Sequence, residues 1–450
     1  MARKAKTGKS GSVASLLAGD GYEFAHVGLF DLNGGFRERR IRTADLDNVI
    51  GQDGTFVNVL PQWDVGEAVA GSGPFVGEKV TLDPASIRPY PFEDKAAIVV
   101  AEYKGPSEAL SPRSVLQQQI DRAAAQGISV KAAFEFEFHV LDQDADEIRA
   151  GGFEQLSPFA ADNRCWAGES AAIYGDFVSD LGETLLDGDI DPVALGLELG
   201  PGCLEATLRA KDAMRAADDA AFFKMMTKAY ARRQGRTACF MAQMGSNFAG
   251  LSGHLHLSFH DKKTGKALFP DRKGEHGMSK KFRSAVAGMV ALAPDGFAMS
   301  HHTVNAYRRH SPGNWAPKTS SWAPENYSVG VRVVAAPEDR CRLEYRLPGS
   351  DTNPFLTLSF AIAACLWGIE TDAELPPPFL DGGPDAGAEG GEPLPRTLAE
   401  AAERLQANKP LREAFGDTFI DHFSHICLHE DGAMRLHVSA AERKRYMEAV

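Results

Sequence analysis

Glu135 and Glu137 alternate with three phenylalanines in Phe134-Glu-Phe-Glu-Phe138. A period of two puts the rings on one face of a β-strand and the carboxylates on the other. Two ionised carboxylates side by side repel and lose hydration, so such a face persists beside metal ions, bases or bulk water. Taken alone, an amphipathic strand with a solvated acidic face explains it equally well. The same kind of pattern recurs downstream. Leu197-Glu-Leu-Gly-Pro-Gly-Cys-Leu-Glu205 sets Glu198 and Glu205 around a Gly-Pro-Gly turn, His254-Leu-His256-Leu-Ser258 puts two imidazoles on one strand face, and Arg342-Leu-Glu344-Tyr-Arg346 makes an arginine–glutamate–arginine row. Each is ordinary by itself, since a strand histidine is more often hydrogen-bonded than ligating and a charged strand face is usually wet. Together they describe a polar cavity built on a sheet, whose oxygen-rich donors favour magnesium or manganese over zinc.

The elements that must position these groups are readable in outline. Phe24–Phe30 and Phe36–Ile41 flank Asn33-Gly34 and predict a hairpin. A short helix is expected near Thr43, a loop over 51–75, and strands at Lys79–Leu82 and Ala96–Glu102. Pro106–Ser111 reads as a boundary, followed by a helix over Val115–Gln126 that stops at Gly127. Asp212–Arg233 predicts a long helix with Met214, Ala217, Ala221 and Met225 on one side. Pro376–Pro395, rich in Pro, Gly and acidic residues, predicts a surface loop, after which Thr397 and Glu400 form a capping box for a helix carrying Leu398, Ala401 and Leu405.

A chain of 450 residues suits two domains. Its net charge of −13 argues against general nucleic-acid binding and for a cytoplasmic protein. No apolar run is long enough to cross a bilayer, so no membrane partner is expected, and the basic stretch Met1–Ser12 lacks the apolar core of a secretory signal. The six cysteines show no Cys-x-x-Cys spacing and read as reduced thiols.

Six motifs in one order carry a family resemblance: the Phe-Glu alternation, the Glu198–Glu205 segment, Ser252-Gly-His-Leu-His-Leu-Ser258, Asn305-Ala-Tyr-Arg-Arg309, Trp315-Ala-Pro317, and Arg342–Arg346 before Asn353-Pro354. Over most of residues 20–430 the chain resembles the glutamine synthetase superfamily, type I, and within it the γ-glutamyl-amine ligases of the γ-glutamylpolyamine and γ-glutamylmethylamide synthetase branch. The resemblance implies an α/β (α+β) fold. Residues 1–19 would be disordered, 20–105 a β-grasp-like domain, and 106–450 a catalytic domain whose curved antiparallel sheet lines a funnel. A cytoplasmic homo-oligomer is implied, a dodecamer of two stacked hexamers. Glu137, Glu198 and Glu205 would bind one divalent ion, and Glu135, His254 and Glu344 another. ATP would lie near His256 and Ser258, with its phosphates toward Arg332 and Arg342. Arg309 and Arg346 would position the acid substrate near Gly250, with Arg309, Arg332 and Arg346 serving catalysis.

The departures from the family pattern select the reaction. Trp315 stands where glutamine-forming relatives have a glutamate that handles ammonium protons, and Asn58 is the approximate counterpart of an ammonium-holding aspartate. Both changes point to an organic amine, with the indole lining a pocket for its carbon skeleton or contacting its cation. Tyr327 replaces a phosphate-facing arginine and Ala249 an asparagine that helps hold glutamate. The expected function is ATP-dependent joining of glutamate, or a similar acid, to an organic amine. An ammonia-using glutamine synthetase and a catalytically silent binding or assembly protein are the alternatives.

Overall fold

The computed structural model describes residues 11–51, 53–311, 313–337, 340–382 and 390–449. The expected N-terminal hairpin forms, with β1 (Phe24–Phe30) antiparallel to β2 (Phe36–Arg42). Its turn is organised by Asp31, whose carboxylate accepts the N–H groups of Asn33 and Gly35 at 2.9 and 2.8 Å, while Gly34 takes a φ of +78° that favours glycine. With β3 (Thr55–Val57), β4 (Gly77–Leu82), β5 (Arg88–Pro89) and β6 (Ala96–Tyr103) they build a six-stranded sheet in the order β2-β1-β6-β4-β3, β5 lying beside β6. The short strand β3 falls within the stretch expected to be loop. β6 is buried on both faces, which explains its unbroken apolar run: Ala97, Val99 and Ala101 join a small core with Leu17, Val27 and Leu29, whereas Ile98 and Val100 join the main core.

Disorder was expected over residues 1–19, but Val13–Gly19 is helical, capped by the Ser12 hydroxyl, with Leu17 fully buried in the small core. The packing of Val13 and Leu17 supplies what the basic composition could not indicate. Residues 1–10, and residues 383–389 of the loop expected at Pro376–Pro395, lie outside the described residues.

A nine-stranded sheet follows, in the order β13-β14-β15-β12-β7-β9-β8. Its strands are β7 (Ile128–Leu141), β8 (Pro192–Leu197), β9 (Cys203–Leu208), β10 (Lys211–Asp212), β11 (Thr237–Cys239), β12 (Gly253–Asp261), β13 (Trp322–Pro324), β14 (Val331–Val334) and β15 (Arg342–Tyr345), with β10 and β11 pairing onto β7. Pairing is antiparallel throughout except between β13 and β14. Phe134, Phe136 and Phe138 point to the covered face and are fully buried, Phe134 stacked on Phe136, and Phe136 and Phe138 against Phe223 of the helix Ala213–Arg233 and against Phe240. The helix Pro354–Glu370 is buried all round. Asn353 caps it, and Pro354 occupies a position where a missing N–H costs nothing. It meets the helix Lys280–Leu292 at Gly288 and Gly368, where any Cβ would lie 2.1 Å from a backbone carbonyl oxygen of the other helix.

The helix Leu398–Ala407 starts at Thr397, whose hydroxyl accepts the Glu400 N–H at 3.2 Å. The expected capping box is only half made, because the Glu400 carboxylate takes the N–H of Arg396 instead of that of Thr397. Thr397→Ala should therefore lower the unfolding free energy by about 1 kcal/mol, read as a shifted urea midpoint with an unchanged slope. Among the described residues no helix is long and apolar enough to cross a membrane.

Candidate active site

Register brings the polar groups together. Glu135 of β7 lies opposite His254 of β12 and Thr207 of β9, and Glu137 lies opposite Glu205. His256 faces Glu344 of β15, which in turn faces Arg332 of β14. Because side chains alternate along each strand, these residues share the face opposite the phenylalanines.

His254 Nδ1 lies 3.0 Å from Glu135 and 3.7 Å from Glu344, and His256 Nε2 lies 3.7 Å from Glu135. Glu135, His254 and Glu344 each offer a ligand atom within 4.8 Å of the others, a candidate metal site. The companion carboxylates are otherwise engaged. Glu137 accepts the Ser252 N–H, while Glu198 accepts the indole N–H of Trp166 and lies 3.6 Å from the Cys165 sulfur. With Glu205 they do not close to the same spacing among the described residues.

The electrostatics favour a cation here. Burial, and then the charges of Glu135, Glu137 and Glu198, push the Glu205 carboxyl up to about 9, and burial raises Glu198 as well. Burial would also raise Glu344, but Arg346, His256, His254 and Arg332 hold it down at about 2. Burial and the Arg346 charge keep His254 below the usual histidine range, so its ring is neutral near pH 7, as a ligand must be. The Nε2 atoms of His254 and His256 are buried without a hydrogen-bond partner among protein atoms. A neutral His254, imidazole nitrogens without a protein partner, and carboxylates that repel one another fit magnesium or manganese.

Magnesium binding near pH 7 should therefore release a proton, with affinity rising as pH approaches about 9, the value at Glu205. Calorimetric titration in two buffers of different ionisation enthalpy measures it. The stability linkage runs the same way. The Glu205 carboxyl is raised in the folded chain, so its stabilising contribution is full below the ordinary glutamate range, lost as pH rises toward about 9 in metal-free protein, and restored by the ion.

An arginine layer adjoins Glu344. Arg332 Nη1 reaches Glu344 at 2.8 Å and Nη2 reaches Glu325 at 3.0 Å, while Arg346 binds the other Glu344 oxygen and donates from Nε to the Tyr327 carbonyl at 3.1 Å. Arg342 Nε donates to His256 Nδ1 at 3.0 Å, and Ser258 lies further along β12 with its hydroxyl 3.0 Å from His260. Arg309 is buried, donates to the Leu347 carbonyl at 2.9 Å and leaves Nε without a partner among protein atoms. Burial lowers its guanidinium to about 10 against the pull of Glu137. Its loop is held by Asn305, which exchanges hydrogen bonds with the Gln243 backbone. Gly250 is pressed against Gln243 and Asn314, where a Cβ would meet them at 3.0–3.1 Å. Ala249 accepts from His139, and Asn58 ties down Val76.

Trp315 has a φ of +51°, rare for so large a side chain. It lines a cavity of roughly 400 Å³ with Tyr327, Glu325 and Leu380. Sequence reasoning named Trp315 as a pocket-lining residue and Tyr327 only as a departure, and missed Glu325, Leu380 and Trp166. None of these three belongs to an alternating motif, and only the loop paths bring them to the site.

The carboxylate–imidazole–arginine face on a curved, largely antiparallel sheet suits an enzyme that handles cations and anionic substrates. Residues 109–446 match the glutamine synthetase catalytic domain family, and the chain belongs to it, an ATP-dependent carbon–nitrogen ligase by class. It is 29% identical over 435 residues to a glutamate–isopropylamine ligase of a Pseudomonas species, covering 94% of this chain and 95% of that protein. It is 30% identical over 440 residues to type-1 glutamine synthetase 2 of Dictyostelium discoideum, covering 95% and 84%. The solved structure of ligand-free GmaS superposes with a TM-score of 0.85 at 25% identity, over 97% of this chain and 99% of that one.

Proposed function

We propose that this chain joins glutamate, or a similar acid, to an organic amine at the expense of ATP. The observation that carries the reading is the Trp315–Tyr327 cavity beside the arginines bound to Glu344. Its roughly 400 Å³ far exceeds the roughly 30 Å³ share of a water-sized molecule such as ammonium, and Trp315, Pro324, Tyr327 and Leu380 give it apolar wall beside the polar Glu325, Asn326 and Ser328.

A carboxylate is a poor acyl donor because its oxygen leaves badly. In this reading the γ-phosphoryl group of ATP passes to a carboxylate oxygen, giving an acyl phosphate and ADP. The amine nitrogen then attacks the carbonyl carbon, phosphate leaves, and the nitrogen loses a proton to form the amide. Arg309 and Arg346 supply planar, permanently charged donors for the acid. Arg332 and Arg342 face the phosphates, and His256 and Ser258 the nucleotide. Glu135, His254 and Glu344 would hold one magnesium or manganese ion and Glu137, Glu198 and Glu205 a second, and such ions neutralise phosphoryl charge when bound. The similarity to an isopropylamine ligase supports an amine acceptor. The similarity to a glutamine synthetase supports ammonium as the second reading, which Trp315 disfavours because an indole neither attracts a small cation as a carboxylate does nor takes its proton.

Glutamate labelled with ¹⁸O in its side-chain carboxylate tests the scheme. With ATP, magnesium and an alkylamine, one labelled oxygen should appear in each inorganic phosphate, alongside the amide detected by mass. Amide formed with unlabelled phosphate would exclude the acyl phosphate, and neither product would support a silent protein.

A further inference from the structure

Glu198 is gripped by one short loop, and that grip bears on the second ion of the ligase reading above, on which this inference rests. The loop spans residues 160–167, ahead of the helix Gly168–Asp187. Asn163 anchors it. This side chain is 5% exposed, and its amide donates to the carbonyl of Glu198 at 2.7 Å and to that of Gly200 at 3.0 Å. The Tyr174 hydroxyl, from the helix, donates to the neighbouring Asp162 at 2.6 Å, and the Ala167 N–H closes a turn onto the Arg164 carbonyl at 3.0 Å. Within that turn Trp166 takes a φ of +52°, a strained setting for an aromatic residue that the anchors on either side maintain.

The setting delivers the indole N–H to Glu198 Oε2, while the Cys165 sulfur lies 3.6 Å from Oε1. Glu198 is 8% exposed and Trp166 78%. So exposed a ring adds little to the core, and the strain in its backbone has no packing to offset it. What the ring does is hold a carboxylate that Glu137 and Glu205 repel. Left alone, a carboxylate among like charges turns away from them, whereas a donor on one oxygen fixes its orientation. An oxygen that accepts one N–H keeps a second lone pair, and the other oxygen has only a weak thiol contact, so the group can still bind a cation.

We infer that Trp166 is a positioning residue for the second divalent ion: its indole N–H orients the Glu198 carboxylate beside Glu137 and Glu205 from outside the ligand set.

Manganese serves as the probe in the full chain, with the free ion counted by electron paramagnetic resonance. Trp166→Phe keeps an aromatic ring and removes the donor. It should weaken one of two manganese sites by about tenfold or more, and leave unchanged both the other site, at Glu135, His254 and Glu344, and the metal-free melting temperature. Amide formation by the variant should fall at limiting magnesium and recover at saturating magnesium. In the native chain, bound manganese should quench the tryptophan emission that the variant lacks. Unchanged or tighter manganese binding in the variant, equal weakening of both sites, a native chain with a single site, or Trp166 emission that manganese does not quench overturns the inference and leaves the acid–amine ligase reading standing. A native chain that binds no manganese and forms no amide overturns both.

Discussion

Glu135→Ala is expected to reduce ATP-dependent amide formation by about a thousandfold or more in a chain that stays folded. The carboxylate is the central acceptor of the polar face, 3.0 Å from both His254 Nδ1 and the Thr207 hydroxyl. It shares its strand with the buried phenylalanines but points away from them, so truncation leaves the aromatic packing intact. What is lost is a hard oxygen donor that no neighbouring side chain replaces. Glu205→Gln makes the complementary case. It should also abolish turnover, yet raise the stability of the metal-free chain above neutral pH, because it removes a group pushed up to about 9 by burial and three like charges. Loss of activity together with a gain in stability is the signature of a functional carboxylate. Full activity of either variant at low magnesium would remove it from the proposed metal sites.

The second large effect separates the two substrates. Arg346→Ala should lower kcat/KM for every amine by about a hundredfold or more, since it removes a guanidinium from the proposed acid site and leaves the buried Glu344 with Arg332 as its remaining arginine partner. Trp315→Glu should act differently. The side chain is about half exposed, so the fold tolerates the change. A carboxylate there should improve ammonium use relative to bulky apolar amines, shifting that ratio by about tenfold or more. The measurement is the ratio of kcat/KM values across amines. A uniform fall with no change in ratio would take Trp315 out of specificity, and an Arg346→Ala defect confined to one amine would take Arg346 out of the acid site.

Much of the architecture was legible because alternation in a strand reports its two faces directly. The Phe134–Phe138 run named the buried face and the polar face together, and the structure keeps both. Cross-strand register was not legible, since nothing in the local pattern sets Glu135 opposite His254 or Glu344 opposite Arg332. Those pairings come from the tertiary course of the chain. The helix Val13–Gly19 was missed because its burial depends on Val13 and Leu17 reaching a core made by later strands. Trp166, Glu325 and Leu380 escaped for a related reason: each stands in irregular backbone, where neither a period of two nor of 3.6 applies. Tyr327 was read as the loss of a phosphate contact. In the structure it is also a wall of the cavity, covered on one side by the two guanidiniums that bind Glu344.

The central claim is that the acceptor is an organic amine. It is tested most directly by kcat/KM for an alkylamine and for ammonium with the same chain, glutamate, ATP and magnesium at one pH, with the amide identified by mass. The alkylamine should lead by about tenfold or more, and a clear lead for ammonium would contradict the account and make this protein a glutamine synthetase.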